Sequence, residues 1–197
     1  PSIIDGTTGV VILNPSEETF REYLKRKQAF EYQEKGLLSY RDLPAKTRDQ
    51  FTAALRGNLE TVSEVESALK YGAEGIGLYR TEFLYMNREQ PPDEEEQIAA
   101  YREMLEAMDP HPVTIRTLDL GGDKFVTDLC LEDEDNPAMG LRAIRFSLRE
   151  INLFKIQLRA ILRASVAGRA RIMFPMISGV GEIRACKRIF RDVPNDL

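Results

Sequence analysis

Apolar residues recur along this chain in two rhythms, and the change from one to the other divides it. Ile3-Ile4 and Val10-Val11-Ile12-Leu13 are short apolar runs on either side of Asp5-Gly6-Thr7-Thr8-Gly9, the pattern of a β-hairpin. Phe20, Tyr23, Leu24 and Phe30 then follow at near-helical spacing up to Gly36. Asn14 can cap this helix, Pro15 tolerates a first helical position, and Glu17 and Glu18 suit the positive end of the dipole. The spacing predicts a connector helix of about five turns. A polar stretch from Tyr40 to Gln50, containing Pro44, reads as a loop.

From Phe51 the pattern alternates between strands and helices. Residues 51–56, 75–79, 113–119 and 171–175 read as strands. Between them lie predicted helices at 61–71, with Val62, Val65, Ala68 and Leu69 on one face, at 94–108, entered from Pro91-Pro92-Asp93, and around 140–148 and 152–166. A last helix is predicted near 180–190. Strands separated by helices pair in parallel, because only a crossover long enough to hold a helix returns the chain to the same end of the sheet. Four such units are about half of an eight-unit barrel, which takes about 250 residues. The expected fold is therefore α/β: a partial (β/α)8 TIM barrel, about the first four βα units, preceded by a β-hairpin remnant and a linker helix. Two short strands do not fold alone. The chain opens in mid-strand and shows no natural stop after Pro194, so a fragment cut at both ends is expected.

Charge narrows the partners. Among 197 residues, 27 Lys and Arg stand against 32 Asp and Glu, a formal net charge of −5. That balance argues against a nucleic-acid coat or a polybasic membrane anchor. No run approaches the roughly 18–20 apolar residues needed to cross a bilayer, and no signal-peptide pattern opens the chain, so no membrane association and a cytoplasmic location are expected. Cys130 and Cys186 lack further cysteine or histidine at ligand spacing and read as free thiols.

In parallel α/β folds the chemistry sits at the carboxyl ends of the strands. There the sequence offers Arg80-Thr81-Glu82, then Arg116, Asp119 and Gly121-Gly122-Asp123-Lys124, and then Asn136, Arg142 and Arg145. Guanidinium suits bidentate recognition of carboxylate and phosphate at any working pH. A small polyanion is one guest of such a rim; ion pairing of the same arginines with Glu82, Asp119 and Asp123, leaving it inert, is the other reading. Gly121-Gly122 can bring N–H groups to an oxyanion or serve as a plain turn. Gly72, Gly75 and Gly77 run into a strand rather than out of one, which points to tight packing instead of a nucleotide loop. His111, the only histidine, lies between prolines on the presumed opposite rim and reads as a loop residue. Lys155, Arg159 and Arg163 read as the solvated face of a helix, and Met173, Phe174 and Met176 as core.

Four segments together carry a family likeness: GIGLYRTEFL at 75–84, TIRTLDLGGDK at 114–124, NPAMGLRAIR at 136–145 and QLRAILRAS at 157–165. With DGTTG at 5–9 and RIMFPM at 171–176, they make the chain closely resemble Enzyme I of the bacterial phosphotransferase system, the phosphoenolpyruvate-protein phosphotransferases, nitrogen-branch relatives included. The resemblance implies three parts: residues 1–15 as the C-terminal tail of a swivelling phosphohistidine domain, 16–48 as linker helix and loop, and 49–197 as the N-terminal half of the phosphoenolpyruvate-binding barrel. It implies that Arg80 and Arg116 hold the substrate phosphate, that Lys124 also binds substrate, and that Arg142 is a catalytic arginine. It further implies Mg²⁺ in the intact enzyme, with ligands in later strands that this segment lacks, an HPr-like phosphocarrier partner and a homodimer. The phosphorylated histidine lies upstream in the family, and His111 does not replace it. Turnover by this segment alone is therefore not expected. A pyruvate phosphate dikinase or phosphoenolpyruvate synthase shares the barrel and the arginines, and a non-catalytic binding or assembly module remains a third reading.

Overall fold

The structure, a computed structural model, describes residues 1–86, 88, 90–120 and 140–193. The chain divides into two compact units, Pro1–Lys46 and Thr47–Leu197.

In the first unit β1 (Ser2–Asp5) pairs antiparallel with β2 (Val10–Leu13), Ser2 opposite Leu13. Asp5 Oδ1 accepts the N–H groups of Thr7 and Thr8 at 3.0 and 3.1 Å, which closes the turn the sequence predicts. The helix α1 (Glu17–Leu37) is longer than expected, about six turns. Its cap is Ser16, whose Oγ accepts the Thr19 N–H at 3.2 Å, rather than Asn14. Asn14 instead takes a left-handed conformation at φ 46°, which asparagine tolerates, so that the chain can leave the hairpin before the helix begins. No residue of α1 is buried, and ion pairs at i, i+4 (Arg21–Glu17, Arg26–Glu22, Lys27–Glu31) run along it.

The second unit is built on a four-stranded parallel sheet in the order β3 (Gly57–Leu59), β4 (Ile76–Tyr79), β5 (Val113–Arg116), β6 (Ala170–Met173). Spatial order equals chain order, so each crossover steps the sheet by one strand in a constant direction. The first strand is not 51–56 as the sequence suggests. Phe51 and Leu55 are 67% and 55% exposed, whereas pairing with β4 begins at Gly57 and Leu59 is the residue that enters the core. The predicted helix at 61–71 is a 3-10 turn, Val62–Glu64, followed by the short α2 (Val65–Lys70). Glu64 Oε2 accepts the N–H groups of Glu60 and Thr61, both at 2.8 Å, and these bonds hold its carboxyl below the usual range. Beyond Arg116 the predicted third strand leaves the sheet, because the Leu118 and Asp119 N–H groups bond to side chains of Gln157 and Glu82 instead of a neighbouring strand.

Helix α3 (Glu94–Met108) has the bounds its pattern predicts, opened by a reciprocal bond pair between Asp93 and Glu96. It packs on α5 (Ile151–Ala164), and Tyr101, Met104, Leu105 and Met108 join Tyr79, Val113, Ile115 and Ile161 in the main core. Arg159 and Arg163 are not simply a solvated face. Arg159 Nε donates to Glu94 Oε2 at 2.7 Å and Arg163 Nη1 to Glu94 Oε1 at 2.9 Å, fastening α5 to the first turn of α3. A second cluster joins Ile144 of α4 (Ala143–Arg149) to Phe154 and Leu158 of α5 and Cys186 of α6 (Val180–Asp192), with Phe174 packed against it. Cys186 is free and buried, and burial raises its thiol pKa to about 11; Cys130 lies outside the described residues.

Gly75 explains the glycine cluster before β4. Its φ is +147°, and a Cβ there would lie 2.6 Å from the Pro112 carbonyl oxygen, so the glycine serves close packing against the entry of β5. His111 is half-buried in that same entry, at the end of the sheet opposite Arg116. No described helix is long and apolar enough to cross a membrane.

Candidate functional site

Three of the parallel strands bring charged residues to one rim of the sheet: Glu60 follows β3, Arg80 follows β4, and Arg116 closes β5. Arg116 is the pivot. Its side chain, 19% exposed, donates from Nη2 to Glu82 Oε1 at 2.9 Å and pairs through Nη1 with Asp119 Oδ2 at 3.2 Å. Arg142, the residue just before α4, donates from Nε and Nη2 to Asp119 Oδ1 at 3.2 and 3.0 Å. Asp119 therefore carries two guanidinium groups from separate elements, one on each oxygen. Its own N–H donates to Glu82 Oε1 at 3.0 Å, so the same oxygen that receives Arg116 also folds the loop back on itself.

Directly after Arg142, buried Ala143 sits at φ 53°. A left-handed alanine costs about 1–2 kcal/mol. Arg80 stands on the same rim but turns to Glu60, with its side chain about two-fifths exposed. Arg145 approaches Glu182 at 3.8 Å and donates to the Gly140 carbonyl at 3.3 Å. Lys124, Asn136, Asp123 and the pair Gly121-Gly122 lie outside the described residues.

Beneath the rim is a polar network that sequence reasoning missed. Thr81 Oγ1 donates to the Arg116 carbonyl at 3.0 Å, and Gln157 Nε2 donates to Thr81 Oγ1 at 3.2 Å and to the Tyr101 hydroxyl at 3.1 Å. Tyr101 and Tyr85 both donate to Gln97 Oε1, at 3.0 and 3.1 Å, and burial pushes both phenols above their ordinary pKa, so they remain donors. The signal that could have found it is Gln157 itself, an amide in the apolar stripe of Phe154, Leu158 and Ile161, where an unpaired polar group would be costly.

Among the described residues, Glu82 Oε2, Arg116 Nε and Thr117 Oγ1 are buried and have no hydrogen-bond partner. A buried guanidinium N–H without a partner is a donor that a site closing around an anion could use. The ion-paired reading of the rim is thus present in part, since Glu82 and Asp119 do neutralise Arg116 and Arg142, yet Arg116 keeps an unspent donor. Among the described residues no group of three or more His, Cys, Asp or Glu side chains is arranged to hold a metal, and both carboxylates nearest the arginines are engaged; these residues do not fit Mg²⁺ ligation. An open concavity of about 450 Å³ on α6, lined by Arg184, Lys187, Arg188, Arg191 and Asp192, consists of exposed residues of one helix and shares none with the rim.

Residues 34–197 match the PEP-utilising enzyme family, PEP-binding domain. The chain is 46% identical over 195 residues to the phosphoenolpyruvate-protein phosphotransferase of Staphylococcus aureus (strain Mu50 / ATCC 700699), covering 99% of this chain and 34% of that protein. It is 46% identical over 190 residues to the protein of that name from Staphylococcus carnosus (strain TM300), covering 96% and 33%. To the one from Priestia megaterium it is 49% identical over 189 residues, covering 95% and 33%. The chain spans about a third of the length of these curated relatives.

Proposed function

The chain belongs to the PEP-utilising enzymes, in their PEP-binding domain family, and from that premise we propose that it is the arginine-bearing part of a phosphoenolpyruvate-protein phosphotransferase. The whole protein would pass the phosphoryl group of phosphoenolpyruvate to its own histidine and on to an HPr-type carrier. Residues 49–197 are then the first half of a (β/α)8 barrel, a reading supported by four parallel strands in unbroken chain order. Residues 16–48 serve as the linker and 1–15 as the end of the swivelling domain. A cytoplasmic homodimer completes the reading.

The observation that carries it is the meeting of Arg116 and Arg142 on Asp119 at the carboxyl end of the sheet, with Arg116 Nε buried and, among the described residues, without a partner. Phosphoryl transfer spreads negative charge over the equatorial oxygens and needs fixed cations more than it needs covalent help. Arg80 and Arg116 would take the phosphate oxygens, and Arg142 the charge that grows during transfer. Glu82 and Asp119 hold Arg116 and Arg142 in place, which lowers the reorganisation needed when the anion arrives. Lys124 would add a further cation. In the intact protein Mg²⁺ would supply Lewis-acid stabilisation of the negative charge on the substrate. The family resemblance puts its ligands in later strands, and no step above depends on it.

Calorimetric titration of phosphoenolpyruvate into the full-length protein and its Arg116→Ala variant tests the proposal. A charge-assisted pair removed from the site weakens binding by about tenfold to a hundredfold. Unchanged binding in Arg116→Ala would leave the arginine rim as a structural or assembly feature.

A further inference from the structure

Helix α5 contributes no arginine to the rim, yet one of its side chains holds together the two loops that do. Gln157, 1% exposed, accepts the Leu118 N–H on Oε1 at 3.0 Å. It spends both amide hydrogens, on Thr81 Oγ1 at 3.2 Å and on the Tyr101 hydroxyl at 3.1 Å. Turning the amide over would set its N–H groups against the Leu118 N–H, so the bonds fix its orientation. Thr81 lies between Arg80 and Glu82 and passes its own hydroxyl hydrogen to the Arg116 carbonyl at 3.0 Å. Leu118 lies between Arg116 and Asp119 and is 2% exposed, so its N–H has no access to water if the amide is lost. One carboxamide therefore clamps the loop after β4 to the loop after β5, across separations of 76 and 39 residues in the chain.

We propose that Gln157 is a positioning residue for the anion site: it touches no substrate atom, but it sets the register between the loop carrying Arg80 and Glu82 and the loop carrying Arg116 and Asp119. This rests on the reading of the rim as the phosphoenolpyruvate site. Gln97 supplies an internal comparison. It is equally buried and belongs to the same network, but it bonds Tyr85, Tyr101 and the Pro92 carbonyl, and neither Thr81 nor Leu118. A general loosening of the core would follow from losing either glutamine; a loss of register follows only from losing Gln157.

The experiment is calorimetric binding of phosphoenolpyruvate to the full-length protein, with thermal melting alongside, for Gln157→Met, Gln97→Met, Thr81→Val and Arg116→Ala. Gln157→Met is expected to weaken binding about tenfold, while Gln97→Met lowers the melting temperature comparably and leaves affinity unchanged. Thr81→Val cuts the same link from its other end without orphaning Leu118, and its effect is expected to be less than additive with that of Gln157→Met. Should Gln157→Met fail to fold, Thr81→Val decides the matter alone. Wild-type affinity in folded Gln157→Met and Thr81→Val, or in folded Thr81→Val where Gln157→Met does not fold, overturns the proposal. So does an equal loss in Gln97→Met. Either result alongside a large loss in Arg116→Ala removes the positioning role only, whereas full affinity in Arg116→Ala removes the reading of the rim itself.

Discussion

Glu82 receives Arg116 and the Asp119 N–H on one oxygen, and its other oxygen is buried and, among the described residues, without a partner. Glu82→Gln preserves the working acceptor and deletes a negative charge beside the proposed phosphate site. Geometry is kept while repulsion falls, so phosphoenolpyruvate affinity is expected to rise about threefold to tenfold at low salt, and less at high salt. A fall in calorimetric affinity would instead give the carboxylate a direct part in binding. Glu94 shows the opposite economy. Burial pushes its carboxyl up, but the hydrogen bonds and charges of Arg159 and Arg163 outweigh this and leave its pKa below the ordinary 4.5. A depressed folded-state pKa stabilises the fold fully above the unfolded value and loses that contribution as pH falls through the folded value. Glu94→Gln is therefore expected to melt about 2–3 °C below the wild type at pH 7, with the gap narrowing as pH falls below 4.5, in scans across that range. The arginines were legible in the sequence because strand ends in α/β folds advertise their chemistry. Gln157 was not: its partners are far away in the chain, and a glutamine in an amphipathic helix carries no mark of which loop it will meet.

Elements were legible where several local rules agreed. Helix α3 combines an acidic capping pair, an apolar stripe and a proline-rich entry, and its bounds came out as expected. The first strand of the sheet was misplaced because Phe51 and Leu55 look like strand residues while a three-residue strand containing Gly57 and Asn58 does not; pairing with β4, not local propensity, selects it. Two glycines make opposite predictions. Gly75→Ala sets a Cβ 2.6 Å from a backbone oxygen at positive φ, and is expected to cost about 2–4 kcal/mol in denaturant unfolding. Gly181, in the first turn of α6, has nothing within 4 Å of its hypothetical Cβ. Gly181→Ala is expected to stabilise by about 0.5–1 kcal/mol in the same measurement, because an open helical position gains only from lost backbone freedom in the unfolded chain.

At the scale of the molecule, alternation of strand and helix was enough to predict a parallel sheet, while its exact membership depended on contacts that no window of sequence contains. Among the described residues, β3 pairs only with β4, and β6 only with β5, so each presents an unpaired edge. Taken alone, the 197-residue chain is expected to associate through such edges and the exposed Val166 and Val180, and light scattering would reveal dimers or larger species. A sharp monomer peak would mean those edges are guarded by their own twist or charge. The unbroken strand order has one more consequence, which concerns time. A chain leaving the ribosome would find each new strand's neighbour already made, with no earlier segment waiting on a later one before it can dock, so synthesis itself can lay down this sheet course by course.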